Sequence, residues 1–168
     1  MQLFPNIQDD KKLIVGVGNA LIDILAYEDE DFVKKTGAAI GGMTYVEKEF
    51  IEQILAMPSK QPITVPGGSA CNTIVGVGRL GGVARFIGKC GNGELGTFFE
   101  NDLKRQNVEP ALLRSNSPTG RVLSIVTPDA QRTMFTCLGA SAEMLPQDIS
   151  IEKYMKLIRW HISILENI

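Results

Sequence analysis

A carboxylate set in an otherwise apolar stretch is the first group in this sequence with chemistry to offer. Asp23 stands within Leu21-Ile22-Asp23-Ile24-Leu25-Ala26, directly after the glycine-rich turn Gly16-Val17-Gly18-Asn19-Ala20. A carboxylate in such a place either pairs within the core or accepts hydrogen bonds from a ligand, and spacing alone leaves both readings open. A second glycine-rich turn, Pro66-Gly67-Gly68-Ser69-Ala70-Cys71-Asn72, carries further polar groups. Gly67 and Gly68 let the backbone approach a ligand, Ser69 is placed to cap a helix whose first-turn amides are donors, and Asn72 falls one turn in. An ionised Asp accepts two hydroxyl hydrogen bonds and an Asn both donates and accepts, so together they suit a polyol.

Other motifs carry less. Gly91-Asn92-Gly93-Glu94-Leu95-Gly96 matches the GxGxxG dinucleotide pattern between an expected strand and an expected helix. No acidic residue follows at the end of a second strand about twenty residues on, where a ribose would be held. Gly82 to Lys89 has five residues between its glycines, and Cys90 stands where a P-loop needs a hydroxyl, which excludes a P-loop. His161 is the only histidine and no nucleophile elbow accompanies it, so a structural role is expected rather than Ser-His-Asp hydrolysis. Cys71, Cys90 and Cys137 form no CxxC pair, which argues against a disulfide framework and a zinc site and for buried thiols. The acidic run Glu28 to Asp31 reads as a solvated loop.

These groups need strands and helices to hold them. Leu13 to Gly18, Leu21 to Ala26, Val83 to Ile87, Val122 to Val126 and Thr133 to Cys137 read as strands, the last two around a turn at Pro128-Asp129. Val46, Phe50, Ile51, Ile54 and Leu55 recur at helical intervals until Pro58; Ser69 to about Leu80 and Glu94 to Gln106 are the other expected helices. Gly76 and Gly78 inside the second of these suggest close packing. Alternation of this kind predicts an α/β layer with a mostly parallel sheet, the pair after Gly120 lying at the sheet's edge or in a small flap. At 168 residues, 44% hydrophobic and 21% charged, the chain has ordinary globular composition and room for one domain. Its 17 Lys and Arg against 19 Asp and Glu are scattered, leaving no footprint for nucleic acid or an anionic membrane. The longest apolar runs fall far short of a membrane span of roughly 20 residues, and no signal pattern opens the sequence, so a cytoplasmic protein with a small-molecule ligand is expected.

Gly-Gly-x-x-x-Asn opening a helix, followed by Arg79-Leu80-Gly81-Gly82, Phe86-Ile87-Gly88, Gly91 and Gly96, resembles the first signature of the PfkB, or ribokinase-like, carbohydrate kinases. Gly18-Asn19-Ala20 with Asp23, the Gly41-Gly42-Met43 turn, and Arg132 with Met134 resemble the adenosine kinase branch, and the similarity extends over about Leu13 to Ile149. The resemblance implies a ribokinase-like fold, a mostly parallel sheet with helices on both faces plus a small β lid near residues 22–45 and 120–138. It implies that Asp23, Gly67, Gly68, Asn72, Asn19 and Gly42 bind substrate, with Met43, Arg132 and Met134 as lid contacts. It further implies a kinase moving the ATP γ-phosphoryl group to a hydroxymethyl group of a sugar or nucleoside, with ATP and Mg2+ as cofactors of the complete enzyme. The second family signature, an Asp-Thr-x-Gly-Ala-Gly-Asp string, does not occur, and Asn92-Gly93-Glu94 replaces an acid common in the family. On that ground residues 1–168 are expected to be the N-terminal, substrate-binding portion, without the ATP-binding part, without a catalytic residue of their own, and inactive alone. A homo-oligomer through the lid or an exposed sheet edge is a further expectation. The rival readings are a nucleotide-dependent oxidoreductase using Gly91 to Gly96 and a non-catalytic ligand-binding fragment.

Overall fold

The computed structural model describes residues 13–57 and 60–149. Pro58, Trp160, His161 and the amphipathic stretch 151–168 lie outside the described residues. Along the chain, β1 (Leu13–Val17) and β2 (Leu21–Tyr27) precede helix α1 (Glu30–Lys35), the short strand β3 (Met43–Tyr45) and helix α2 (Lys48–Leu55). Next come β4 (Ile63–Gly67), helix α3 (Ser69–Arg79), β5 (Val83–Gly91), helix α4 (Glu94–Arg105) and β6 (Val108–Ser115). The hairpin strands β7 (Gly120–Val126) and β8 (Arg132–Cys137) lead into two 3-10 turns, Gly139–Glu143 and Pro146–Asp148.

These strands form two sheets. One is parallel, in the order β1-β5-β6. Ile74 of α3 and Phe99 and Leu103 of α4 are buried in one cluster with Ala84, Phe86 and Cys90 of β5, and the rings of Phe86 and Phe99 stand 5.7 Å apart. Leu13, Val15, Val17 and Ile87 form a second cluster with Met144 from the stretch after β8. A parallel sheet buries both faces, so β1 reads in the sequence as an unbroken apolar run.

The other sheet is mixed, in the order β3-β8-β7-β2-β4, with β2 parallel to β7 and antiparallel to β4. Successive side chains of a strand point to opposite faces, and this sheet uses both faces differently. Ile22, Ile24, Ala26, Leu123, Ile125 and Phe135 join the core with Phe32 and Val33 of α1 and Ile51 and Ile54 of α2. Phe50 meets Phe135 at 5.3 Å between ring centroids. The alternate residues Leu21, Asp23, Val122, Arg132, Met134 and Thr136 line a cleft on the opposite face. The hairpin after Gly120 is therefore interior to this sheet, since β7 and β8 each have a partner on both sides.

Several local expectations need correction. Only the start of the acidic run is a loop: Asp29 caps α1, its carboxylate accepting from Phe32 N at 2.8 Å, and Glu30 and Asp31 fill the first helical turn, where acids favour the helix dipole. The cap of α3 is Gly68 rather than Ser69, which is already helical. Pro66 and Gly67 end a strand instead of making a turn, a placement open to proline because β4 is an edge strand. Gly78 packs closely, since a Cβ there would lie 2.5 Å from the Gln106 carbonyl oxygen, but Gly76 has open space around it. Cys71 and Cys90 are buried thiols, whereas Cys137 is only partly buried.

Candidate functional site

The cleft over the mixed sheet has a volume of about 470 Å³ and reaches from the β1–β2 crossing to the start of α3. Asn19, from the crossing between β1 and β2, Asp23 of β2, and Gly68 and Asn72 at the start of α3 line one side of it. Met43 of β3 with Arg132 and Met134 of β8 line the other. The fold thus brings together seven of the sequence-derived candidates from four separate stretches of chain.

Two candidates stand one layer behind. A Cβ on Gly67 would fall 2.3–2.4 Å from the Asp23 carboxyl atoms, so the absence of a side chain there is what gives the carboxylate its place. The Gly42 carbonyl accepts a hydrogen bond from Met134 N at 2.8 Å, which holds the end of β3 against β8. Gly68 has a strict steric reason to be glycine: its φ is +95°, and a Cβ would meet the Asn19 carbonyl oxygen at 2.5 Å. Its own carbonyl accepts from Asn72 N at 2.9 Å, opening α3 beside Asp23.

Asp23 and Arg132 are the two charged side chains of the lining, and they form no ion pair with each other. Burial pushes the Asp23 carboxyl above the usual aspartate range, and the Arg132 guanidinium pulls it part of the way back. Arg132 donates to Ser124 Oγ at 3.3 Å, one bond for a group with five N–H donors. The lining divides by chemistry: Asn19, Asp23, Ser69 and Asn72 are polar, while Leu21, Met43, Val122, Met134 and Leu138 are apolar. Leu21, Tyr45, Ser69, Val122, Thr136 and Leu138 were not singled out as site residues from the sequence. Tyr45 sits on a three-residue strand, too short for any alternation to show, and Leu138 reaches the cleft only because β8 ends there.

A second cavity of about 590 Å³ adjoins the first, sharing Tyr45, Thr136 and Leu138 with it and bounded further on by Ser117, Pro118, Gly139 and the start of α2. Two of the three glycines of the GxGxxG string are taken up by packing, while Gly93, the cap of α4, has open space: a Cβ on Gly96 would lie 2.0 Å from the Gly91 carbonyl oxygen, and one on Gly91 2.6 Å from that of Ser117. Among the described residues no three His, Cys, Asp or Glu side chains gather to hold a metal ion, and no helix is long and apolar enough to cross a membrane.

A family model described as pfkB family carbohydrate kinase matches residues 12–158. Among curated proteins, probable fructokinase-7 of Arabidopsis thaliana is 28% identical over 148 residues, covering 87% of this chain and 36% of its own length. The fructokinase of Klebsiella pneumoniae is 27% identical over 114 residues, 66% of this chain and 37% of that protein. Among solved structures, the adenosine kinase of Sinorhizobium meliloti matches with a TM-score of 0.76 at 34% identity, over 86% of this chain and 44% of that one. A probable sugar kinase from Rhizobium etli matches with a TM-score of 0.76 at 30% identity, over 84% of this chain and 43% of that one. The chain therefore spans less than half the length of these relatives.

Proposed function

The chain belongs to the pfkB family of carbohydrate kinases, and from that premise we propose that it supplies the substrate-binding part of an ATP-dependent kinase acting on a hydroxymethyl group of a sugar or nucleoside. The observation that carries this reading is the convergence of Asp23, Asn72, Asn19 and the Gly68 backbone on one cleft. Asp23 accepts two substrate hydroxyls, and its partial burial makes each such bond count for more than it would in water. Asn72 donates to one hydroxyl and accepts from another. Met43, Arg132 and Met134, carried by the mixed sheet, approach from the far wall and exclude water from the bound polyol.

The apolar half of the cleft favours a nucleoside over a free sugar. Leu21, Met43, Val122, Met134 and Leu138 offer a surface that a hexose would leave uncovered and a flat heterocycle would bury. One structural relative is an adenosine kinase whereas the curated relatives are fructokinases, so the preference rests on the lining of the cleft alone.

ATP would supply the phosphoryl group and Mg2+ would neutralise its charge, but the described residues gather no metal-binding set of their own. Phosphoryl transfer needs donors aligned on the phosphate and a base at the attacking hydroxyl, and Asp23, engaged with other hydroxyls, serves as neither. Calorimetric titration of the 168-residue chain with adenosine, ribose and fructose, alongside an ADP-release assay, tests both halves of the reading. Saturable binding without turnover is expected. Turnover near the roughly 1–100 s⁻¹ of typical kinases would show that the chain is catalytically complete, and no binding of any of the three would remove the cleft as substrate site.

A further inference from the structure

Where the carboxyl ends of β5 and β6 meet the turn after β8, one exposed side chain gathers several bonds. Glu143, the last residue of the Gly139–Glu143 turn, accepts from Ser115 Oγ at 2.5 Å, at the end of β6, and from Ser117 Oγ in the loop leading to β7. Its carbonyl oxygen accepts from Lys89 Nζ of β5 at 2.9 Å, and the same ammonium pairs with Asp148 at 3.1 Å. Beside it Ala140 N donates to the Pro118 carbonyl at 2.8 Å. Ser117, Pro118, Leu138 and Gly139 then make one wall of the larger cavity, and Leu138 continues into the cleft that holds Asp23.

The loop leaving the parallel sheet is thereby tied to the turn leaving the mixed one. Glu143 buries no apolar side chain of its own, so its removal leaves both core clusters whole and acts on the position of this wall alone. A carboxylate suits the task, since two acceptor oxygens meet two hydroxyl donors and charged acceptors form the stronger bonds. We propose that Glu143 is a positioning residue for substrate: acting through Ser117 and the bond from Ala140 N to the Pro118 carbonyl, it sets where Leu138 stands in the cleft without touching the ligand. The inference rests on the reading of that cleft as the substrate site.

The test uses the 168-residue chain with Glu143→Gln, Ser117→Ala and the two combined. Adenosine affinity is measured by calorimetry, and the reaction rate of Cys137 with a chromogenic disulfide reagent reports on the wall, because Cys137 lines the larger cavity and Cys71 and Cys90 are buried. Glu143→Gln should weaken adenosine binding about three- to tenfold and speed Cys137 labelling. Its unfolding midpoint should stay close to that of the parent. Ser117→Ala should act in the same direction, and the double variant should be no worse than the stronger single one, as expected when two residues act through one contact. Unchanged affinity and labelling in Glu143→Gln, or fully additive losses in the double variant, overturn the proposal. If the parent chain binds no adenosine, ribose or fructose, the proposed function falls on its own account. The Cys137 rate then decides the brace by itself: unchanged labelling rejects it and faster labelling upholds it.

Discussion

The parallel sheet and the mixed sheet are built from the same kinds of residues and used in opposite ways. In β1 and β5, apolar side chains on both faces enter core clusters, and the polar side chains Arg85 and Lys89 are held in ion pairs with Glu109 and Asp148. In β2, β7 and β8 one face is core and the other carries Asp23, Arg132 and the apolar lining of a cleft. A sheet covered on both faces has no surface left for chemistry. A sheet covered on one face keeps a rigid, patterned surface on which a ligand can be read. Both sheets share one core cluster, and on the proposed reading the mixed sheet adds recognition on its other face, so substitutions on the two kinds of face should fail differently.

The largest effect should come from the shared core. Phe86→Ala in β5 removes a fully buried ring that packs at a tilt against Phe99 and should lower unfolding free energy by about 3–5 kcal/mol, read from urea melts. A cost below about 1 kcal/mol would show that β5 contributes little to the core the two sheets share. Next, Asp23→Asn should weaken polyol or nucleoside binding by about 1.5–3 kcal/mol, and it should do so while the folded chain becomes more stable. The sign follows from burial. A carboxyl held above its usual range binds its proton more tightly folded than unfolded, so stability is greatest where it is protonated and declines as pH rises through the raised value. Asparagine has no such decline, so the stability advantage of the variant should grow as pH rises from acid to neutral. By the same titration, ligand affinity of the parent chain should fall as the solution is acidified. A variant that loses stability and keeps its affinity would place Asp23 in the core rather than the site.

Asn72→Ala should act more mildly, costing about 0.5–1.5 kcal/mol of affinity for each neutral hydrogen bond lost, with little change in melting. If melting alone changes, Asn72 belongs with the scaffold. The smallest and most discriminating pair lies within α3. Gly76→Ala has open space and should stabilise by about 0.4–1 kcal/mol, while Gly78→Ala should destabilise because its methyl would meet the Gln106 carbonyl at 2.5 Å.

Much of the parallel region was legible as periodicity: β1, β5 and α4 show unbroken or helical apolar spacing. Its third strand, β6, was hidden because Glu109, Pro110 and Arg114 interrupt the pattern, which only the pairing with β5 makes regular. In the mixed region the exposed edge strands β3 and β4 escaped notice, since Met43, Tyr45, Ile63 and Val65 bury too little to alternate visibly. The polar half of the cleft could be read as residue types, because an Asp within an apolar strand and an Asn one turn beyond a double glycine are unusual in themselves. Its apolar half could not. Leu21, Val122 and Leu138 look like any core residue until strand pairing turns them toward the opening.

The pairing pattern also bears on how such a chain reaches its native form. Leu13 pairs with Val83, and Leu21 with Gly120, so neighbours in each sheet lie far apart in sequence and the two sheets draw alternately on the same thread. Each long-range closure carries an entropic cost before its contacts form, and such topologies collapse slowly compared with local helical ones. As the polypeptide leaves a ribosome, β2 has to wait for β7 and β8 before the face that lines the cleft is complete. Asp23 and its neighbours on β2 thus meet the rest of the proposed cleft only once strands far along the chain have paired.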